Sequence, residues 1–169
     1  MKPEPDIAPS ARPPQLAIYG FTLFALGFLS CLSCRTAASL PPADFSSPGW
    51  RVRQGQAVWK PSKSRPELAG DLLLAVNTNG NFVIQFSKTP FALASAQMAD
   101  GRWQIEFGAG RHSWRGQGPP PKRFLWFQLT RVLDASPADA PWKLTGRPDH
   151  SWRLENADTG ECLEGQLFQ

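Results

Sequence analysis

The side chains of this chain that could do covalent chemistry are three thiols, two imidazoles and a few neighbouring carboxylates. His112 is followed by Ser113, and His150 by Ser151 with Asp149 before it. A hydroxyl becomes a nucleophile when a base reaches it, and adjacent residues on a strand point to opposite faces, so His112 and Ser113 do not make such a pair. His150 falls in a turn over 148–151. Glu155, Glu161 and Glu164 cluster around a second turn over 158–161, where carboxylates ordinarily face water. No group of His, Cys and Asp has metal-ligand spacing, and no glycine-rich loop leads into a helix to cradle a phosphate. Neither a metal nor another cofactor is expected, and the residues point away from an enzyme. A hydrolase acting through His112 or His150 would need a polar cleft around them.

The thiols read differently. Residues 16–32, LAIYGFTLFALGFLSCL, carry no charge, follow Lys2 and Arg12, and end in small residues and cysteine. Seventeen residues is short of the roughly 20 of a membrane span. A basic start, an apolar run and a small-residue exit together describe a secretory signal. The exit, Phe28-Leu29-Ser30-Cys31-Leu32-Ser33-Cys34, resembles a bacterial lipobox, in which the cysteine is lipidated and becomes the new amino terminus. Two frames fit. Cys34 is preferred because Arg35 then opens the polar chain directly; Cys31 has the better residue three places upstream. With Cys34 lipidated, Cys162 alone remains and no disulfide framework is possible, so its thiol is expected as a small apolar side chain in a strand. The expected organisation is a lipoprotein signal peptide over 1–33, a flexible Ala/Ser/Pro-rich tether over 34–49, and a folded domain over 50–169.

The elements that follow favour strands. The 169 residues include 17 Pro and 14 Gly, which suits short strands and turns. The formal charge of +4 is scattered, with no run of like charge, so a nucleic-acid partner is not expected. All seven Trp lie from Trp50 onward. The clearest element is a hairpin over 68–86. Leu68, Leu72, Leu74 and Val76 share one parity on its first arm, and Phe82, Ile84 and Phe86 share one on the second. Asn79-Gly80 between them offers positive-φ residues for the turn. A strand over 50–59 precedes it, with Gly55 expected to mark a bulge or bend. Strands over 91–98 and 103–107 follow, joined by Asp100-Gly101, and the second presents Trp103, Ile105 and Phe107 on one face. A short strand over 111–115 comes next.

After Pro119-Pro120-Pro121 the period changes to helical over 122–135, with Leu125, Leu129, Val132 and Leu133 in step and Phe124 and Phe127 alongside. Short strands over 142–144, 152–156 and 162–168 close the chain. The fold class is therefore mainly β: a curved antiparallel sheet of about eight or nine strands, an open half-barrel, with one covering helix.

With a lipobox-like exit, a sheet of hairpins and an embedded helix, the chain resembles the half-barrel lipoprotein carriers and receptors, the LolA/LolB-like group. The pieces that carry the resemblance are Gly55-Gln56-Ala57-Val58-Trp59, the 68–86 hairpin and Thr89-Pro90-Phe91. It implies an open barrel whose helix is a lid over acyl chains of a lipid or lipoprotein, anchored by its own lipid, secreted across the inner membrane and held at the outer membrane facing the periplasm. Arg35 rather than Asp after Cys34 fits outer-membrane sorting by the same resemblance. It also implies an apolar residue on an exposed loop, for which Phe91 is the nearest position. The short closing meander departs from the family's pattern. The expected acyl wall is Leu68, Leu72, Leu74, Val76, Phe82, Ile84, Phe86, Trp103, Ile105 and Phe107, with Phe124 and Phe127 from the helix. The alternative is a structural accessory lipoprotein that docks an envelope protein complex, its aromatics forming a dry core.

Overall fold

The computed structural model describes residues 38–108, 110–133, 136–146 and 151–168. The expected signal peptide, both candidate lipidation sites Cys31 and Cys34, and the pair Asp149 and His150 lie outside the described residues. Nine strands form one sheet: β1 (Trp50–Lys60), β2 (Leu68–Asn77), β3 (Phe82–Lys88), β4 (Phe91–Ala99), β5 (Arg102–Phe107), β6 (His112–Gln117), β7 (Trp142–Gly146), β8 (Trp152–Asn156) and β9 (Cys162–Phe168). Their order is β6-β5-β4-β3-β2-β1-β9-β8-β7, every pairing is antiparallel, and β6 and β7 are left as the two edges of an unclosed sheet.

The central hairpin forms as its parity requires. Leu72 faces Phe86, Leu74 faces Ile84 and Val76 faces Phe82, so the apolar side chains of both arms share a face. Its turn uses one left-handed residue, Gly80 (φ 88), rather than two. Four residues separate the arms. The Asn77 carbonyl accepts from Gly80 N–H at 3.0 Å, and the Asn77 and Asn79 side chains accept from the N–H groups of Asn79 and Asn81. Asp100-Gly101 is the two-residue turn the sequence indicates, with positive φ at both positions (52 and 71).

Gly55 marks no bulge: β1 runs in continuous register against Leu72 on one side and Leu167 on the other. Glycine is needed there because a β-carbon would fall on the Gln166 carbonyl of β9. The irregularity lies instead between β3 and β4, where the register shifts after the Phe86–Ala94 pair.

The helix is shorter than its periodicity suggests. It comprises α1 (Leu125–Gln128) and α2 (Thr130–Leu133), with Leu129 between them in right-handed helical conformation. Phe124 is extended (φ -88, ψ 118) behind the three prolines and supplies no capping side chain. All four residues of α1 are buried, so packing against the sheet holds this helix.

Residues 38–49, expected as the end of a tether, lie on the sheet. Leu40 is buried, and its N–H donates to the Gln104 side-chain oxygen at 2.9 Å, where Ser39 Oγ donates as well. Gln97 Nε2 donates to the Pro41 carbonyl at 2.9 Å. Gln97 and Gln104 oppose each other across β4 and β5 with the parity opposite to Ile105, so this strap crosses the outer face of the sheet.

Candidate functional site

The inner face collects the expected wall residues into one apolar cluster. Leu72, Leu74, Phe82, Ile84, Phe86 and Ile105 are buried, and Leu68, Val76, Trp103 and Phe107 pack against them half-buried. Phe127 is buried in the same cluster and Phe124 lies at its rim. Phe91 stands apart, 66% exposed at the start of β4. Leu125, Leu129 and Val132 turn the helix onto the sheet.

The side chain that organises this cluster is one the sequence reading does not single out. Trp126 is fully buried, with ring centroids 5.1 Å from Trp59, 5.7 Å from Phe86 and 6.5 Å from Phe107. Among the described residues its Nε1–H finds no hydrogen-bond partner. An indole is held here by ring contacts although its donor is unsatisfied, a cost that buried polar groups normally avoid. Periodicity does not reveal Trp126, because Leu125-Trp126-Phe127 is apolar all round. Trp59 is similarly ambiguous in the sequence, on the opposite parity to Val58; its stacking on Phe107 at 6.0 Å puts it inside.

The helix meets the sheet through these apolar contacts, whereas its polar ties run to the loop that follows it. Asp139 N–H donates to Gln128 Oε1 at 3.3 Å, Arg131 pairs with Asp139 at 3.0 Å, and Arg131 also donates to the Pro137 carbonyl. Trp142 of β7 donates its indole N–H to the Lys122 carbonyl at 2.6 Å, which fixes the approach to the helix.

The remaining candidate groups lie at the margin of this cluster or on the surface. His112 stacks on Trp114 (6.4 Å, 28°) at the edge strand β6, and the Trp114 ring is 42% exposed. Glu155 and Glu164 both pair with Arg153 at the surface, at 3.1 and 2.7 Å. Glu161 differs. It accepts the Trp59 indole N–H at 3.1 Å, and burial pushes its carboxyl up to about 7, against a smaller lowering effect of that hydrogen bond. Burial likewise raises the Cys162 thiol, as expected for an apolar lining residue. Among the described residues no group of three His, Cys, Asp or Glu side chains could hold a metal ion, and no helix is long and apolar enough to cross a membrane.

A cavity of about 870 Å³ lies on the other face of the sheet, where Gln56, Asp71, Thr145, Arg153, Glu164 and Gln166 surround it. These residues alternate with the inward Ala57 and Trp152 and share the outer parity of Val58 and Ala69, so the cavity has a mixed polar and apolar lining and is separated from the apolar cluster by the sheet. Compared with known proteins, the chain matches no protein-family model and no curated protein.

Proposed function

We propose that the protein is a lipid-anchored cell-envelope module whose open half-barrel takes up an acyl chain, from a lipid or a lipoprotein, in place of the helix at 125–133. The observation that carries this reading is the helix itself: one short segment plugs an otherwise apolar sheet face, and non-directional contacts hold it there. Such contacts exchange readily for those of another apolar group. Exposing Leu125, Trp126, Phe127, Leu129 and Val132 costs about 8–15 kcal/mol, at roughly 1.5–3 kcal/mol for each side chain. Burying an acyl chain of about sixteen carbons returns ~13 kcal/mol, at roughly 0.8 kcal/mol per methylene. The two terms match, so a ligand of that length exchanges with the plug without a large net change.

The test is lipid analysis of the purified full chain by mass spectrometry, together with titration of its tryptophan emission with fatty acid. Bound lipid and a saturable change in emission are expected. Loss of both would refute the reading. The second reading, a structural accessory lipoprotein docking an envelope complex, is favoured by the close packing of the wall side chains against Trp126 and Phe127. A chain that never takes up lipid yet co-purifies with one defined assembly would support it.

A further inference from the structure

The inner face is not covered evenly. Rings run from the core to the β6 edge: Phe107 touches Trp114 at 5.9 Å, Trp114 touches Phe124 at 5.8 Å, and His112 stacks on the outer side of Trp114. Trp114 shares the inward parity of Ile105, which is fully buried, yet on the edge strand it is half-exposed.

Basic residues occur in the segments that lead to this indole and to Phe124 beside it. The Arg123 guanidinium lies 4.9 Å over the Phe124 ring, Arg111 is exposed in the turn before β6, and the Lys122 side chain is 69% exposed. The carboxylates that meet cations here are already engaged, Glu106 with Arg115 at 3.4 Å and Asp139 with Arg131 at 3.0 Å and Lys122 at 3.9 Å. No ion pair among the described residues engages Arg111 or Arg123.

The path of the chain provides a separate observation. The strap that follows the apolar stretch at 16–32 meets the sheet at Ser39 and Leu40, hydrogen-bonded to Gln104 on β5, the strand beside β6. The entry point and the cationic aromatic edge therefore lie at the same end of the sheet.

We propose that the β6 edge, through Trp114 with Arg111 and Arg123, docks on the surface of an anionic lipid bilayer. Indole and imidazole rings suit the headgroup layer, where one part of the ring meets hydrocarbon and the other stays wet. Arginine supplies attraction to anionic headgroups worth about fivefold in the docking equilibrium per basic residue. One half-exposed indole with nearby basic residues is small for a stable protein interface, which needs about 800 Å² per partner, but is adequate for a domain that, on the lipid-anchored reading above, must only lie down. The docking does not depend on the core accepting an acyl chain.

The test reconstitutes the full chain in phosphatidylcholine vesicles, with and without phosphatidylglycerol, using lipids brominated near the headgroup to quench interfacial tryptophan. Quenching should appear with phosphatidylglycerol and disappear in Trp114→Phe, which leaves the other six tryptophans in place. The double variant Arg111→Ser/Arg123→Ser should lower the docked-to-undocked ratio roughly 30-fold while its thermal melt and its fatty-acid titration stay as in the parent. Quenching that is equal without phosphatidylglycerol, or unchanged in Trp114→Phe or in the double variant, would overturn the proposal. Loss of fatty-acid binding with docking intact would refute only the acyl-chain reading.

Discussion

Trp126→Ala tests the packed core and its proposed exchange together. The indole is fully buried among Trp59, Phe86 and Phe107. Replacing a buried Trp by Ala costs about 3–5 kcal/mol, because contacts are lost and a cavity remains. One term opposes this: the unpartnered Nε1–H disappears, and an unsatisfied buried donor itself costs about 1–3 kcal/mol. The net destabilisation should therefore fall near the low end, about 3 kcal/mol, or a melting-temperature drop of about 10–15 °C for a domain of this size. Trp126→Phe keeps one ring and removes the donor, so it should cost within about 1 kcal/mol. The vacated space is lined by Trp59, Phe86 and Phe107, and an acyl chain should enter it more easily than in the parent. At a concentration of about 100 Kd, ligand binding adds ~2.7 kcal/mol, so saturating fatty acid should recover most of the lost stability. The parent, which must first displace the helix, should gain less. Thermal melts of all three chains with and without fatty acid make the measurement. Destabilisation of Trp126→Ala by less than about 1 kcal/mol would show that the indole is no plug. An equal or absent ligand shift in parent and variant would refute the exchange.

Three further outcomes follow from local geometry. The folded chain holds the Glu161 proton more tightly than the unfolded chain does (about 7 against the ordinary 4.5), so its contribution to stability is greatest below about pH 4.5 and is lost as pH rises through about 7. The loss is about 3 kcal/mol at most, and less where water screens the site; urea midpoints of Glu161→Gln across this range should lack that part of the slope, and parallel profiles would contradict it. Gly55→Ala should destabilise by more than about 2 kcal/mol, because the added methyl must push β9 away from β1, and a normal denaturation midpoint would show that the strands relax freely. Phe91→Ser, at a 66% exposed position, should change stability by less than about 0.5 kcal/mol, so any loss of the proposed function in that variant, with an unchanged melt, would come from a contact that Phe91 makes with another molecule.

Local pattern made most of the sheet legible. Alternation places Leu72, Leu74, Ile84 and Phe86 on one face with no knowledge of their partners, and Asp100-Gly101 fixes its own turn. What local pattern lacks is the partner of each segment. That β9 returns to pair with β1 is a contact over about a hundred residues, and only this pairing explains why Gly55 is a glycine. The same non-local closeness takes Glu161 out of water: its turn reads as surface, yet it sits against the Trp59 indole. The strap was hidden for a similar reason. Ser39-Leu40-Pro41 has the composition of a free linker, and its place is set by Gln104 and Gln97, whose amides face the outer side of β5 and β4. The helical period points to a start at 122, three residues before Leu125, because spacing alone does not show that Phe124 is extended behind Pro121.

The helix is also the reason that an occupied inner face and an exchangeable one are compatible. Two consecutive turns without a capping side chain are far below the length at which a helix persists alone, about 12–15 residues. Residues 125–133 are therefore helical only while their side chains fill the sheet. Under the proposed exchange, a ligand that takes their place does not have to move a rigid lid; it lets residues 125–133 unfold. The polar ties that restrain this are few: Gln128 and Arg131 bond the loop at 136–139, whose Asp139 carbonyl accepts from the Trp142 N–H of β7, and the Trp142 indole N–H holds the Lys122 carbonyl. Under the proposed exchange, weakening these ties should ease acyl uptake, while changes at Trp126 should alter it more strongly.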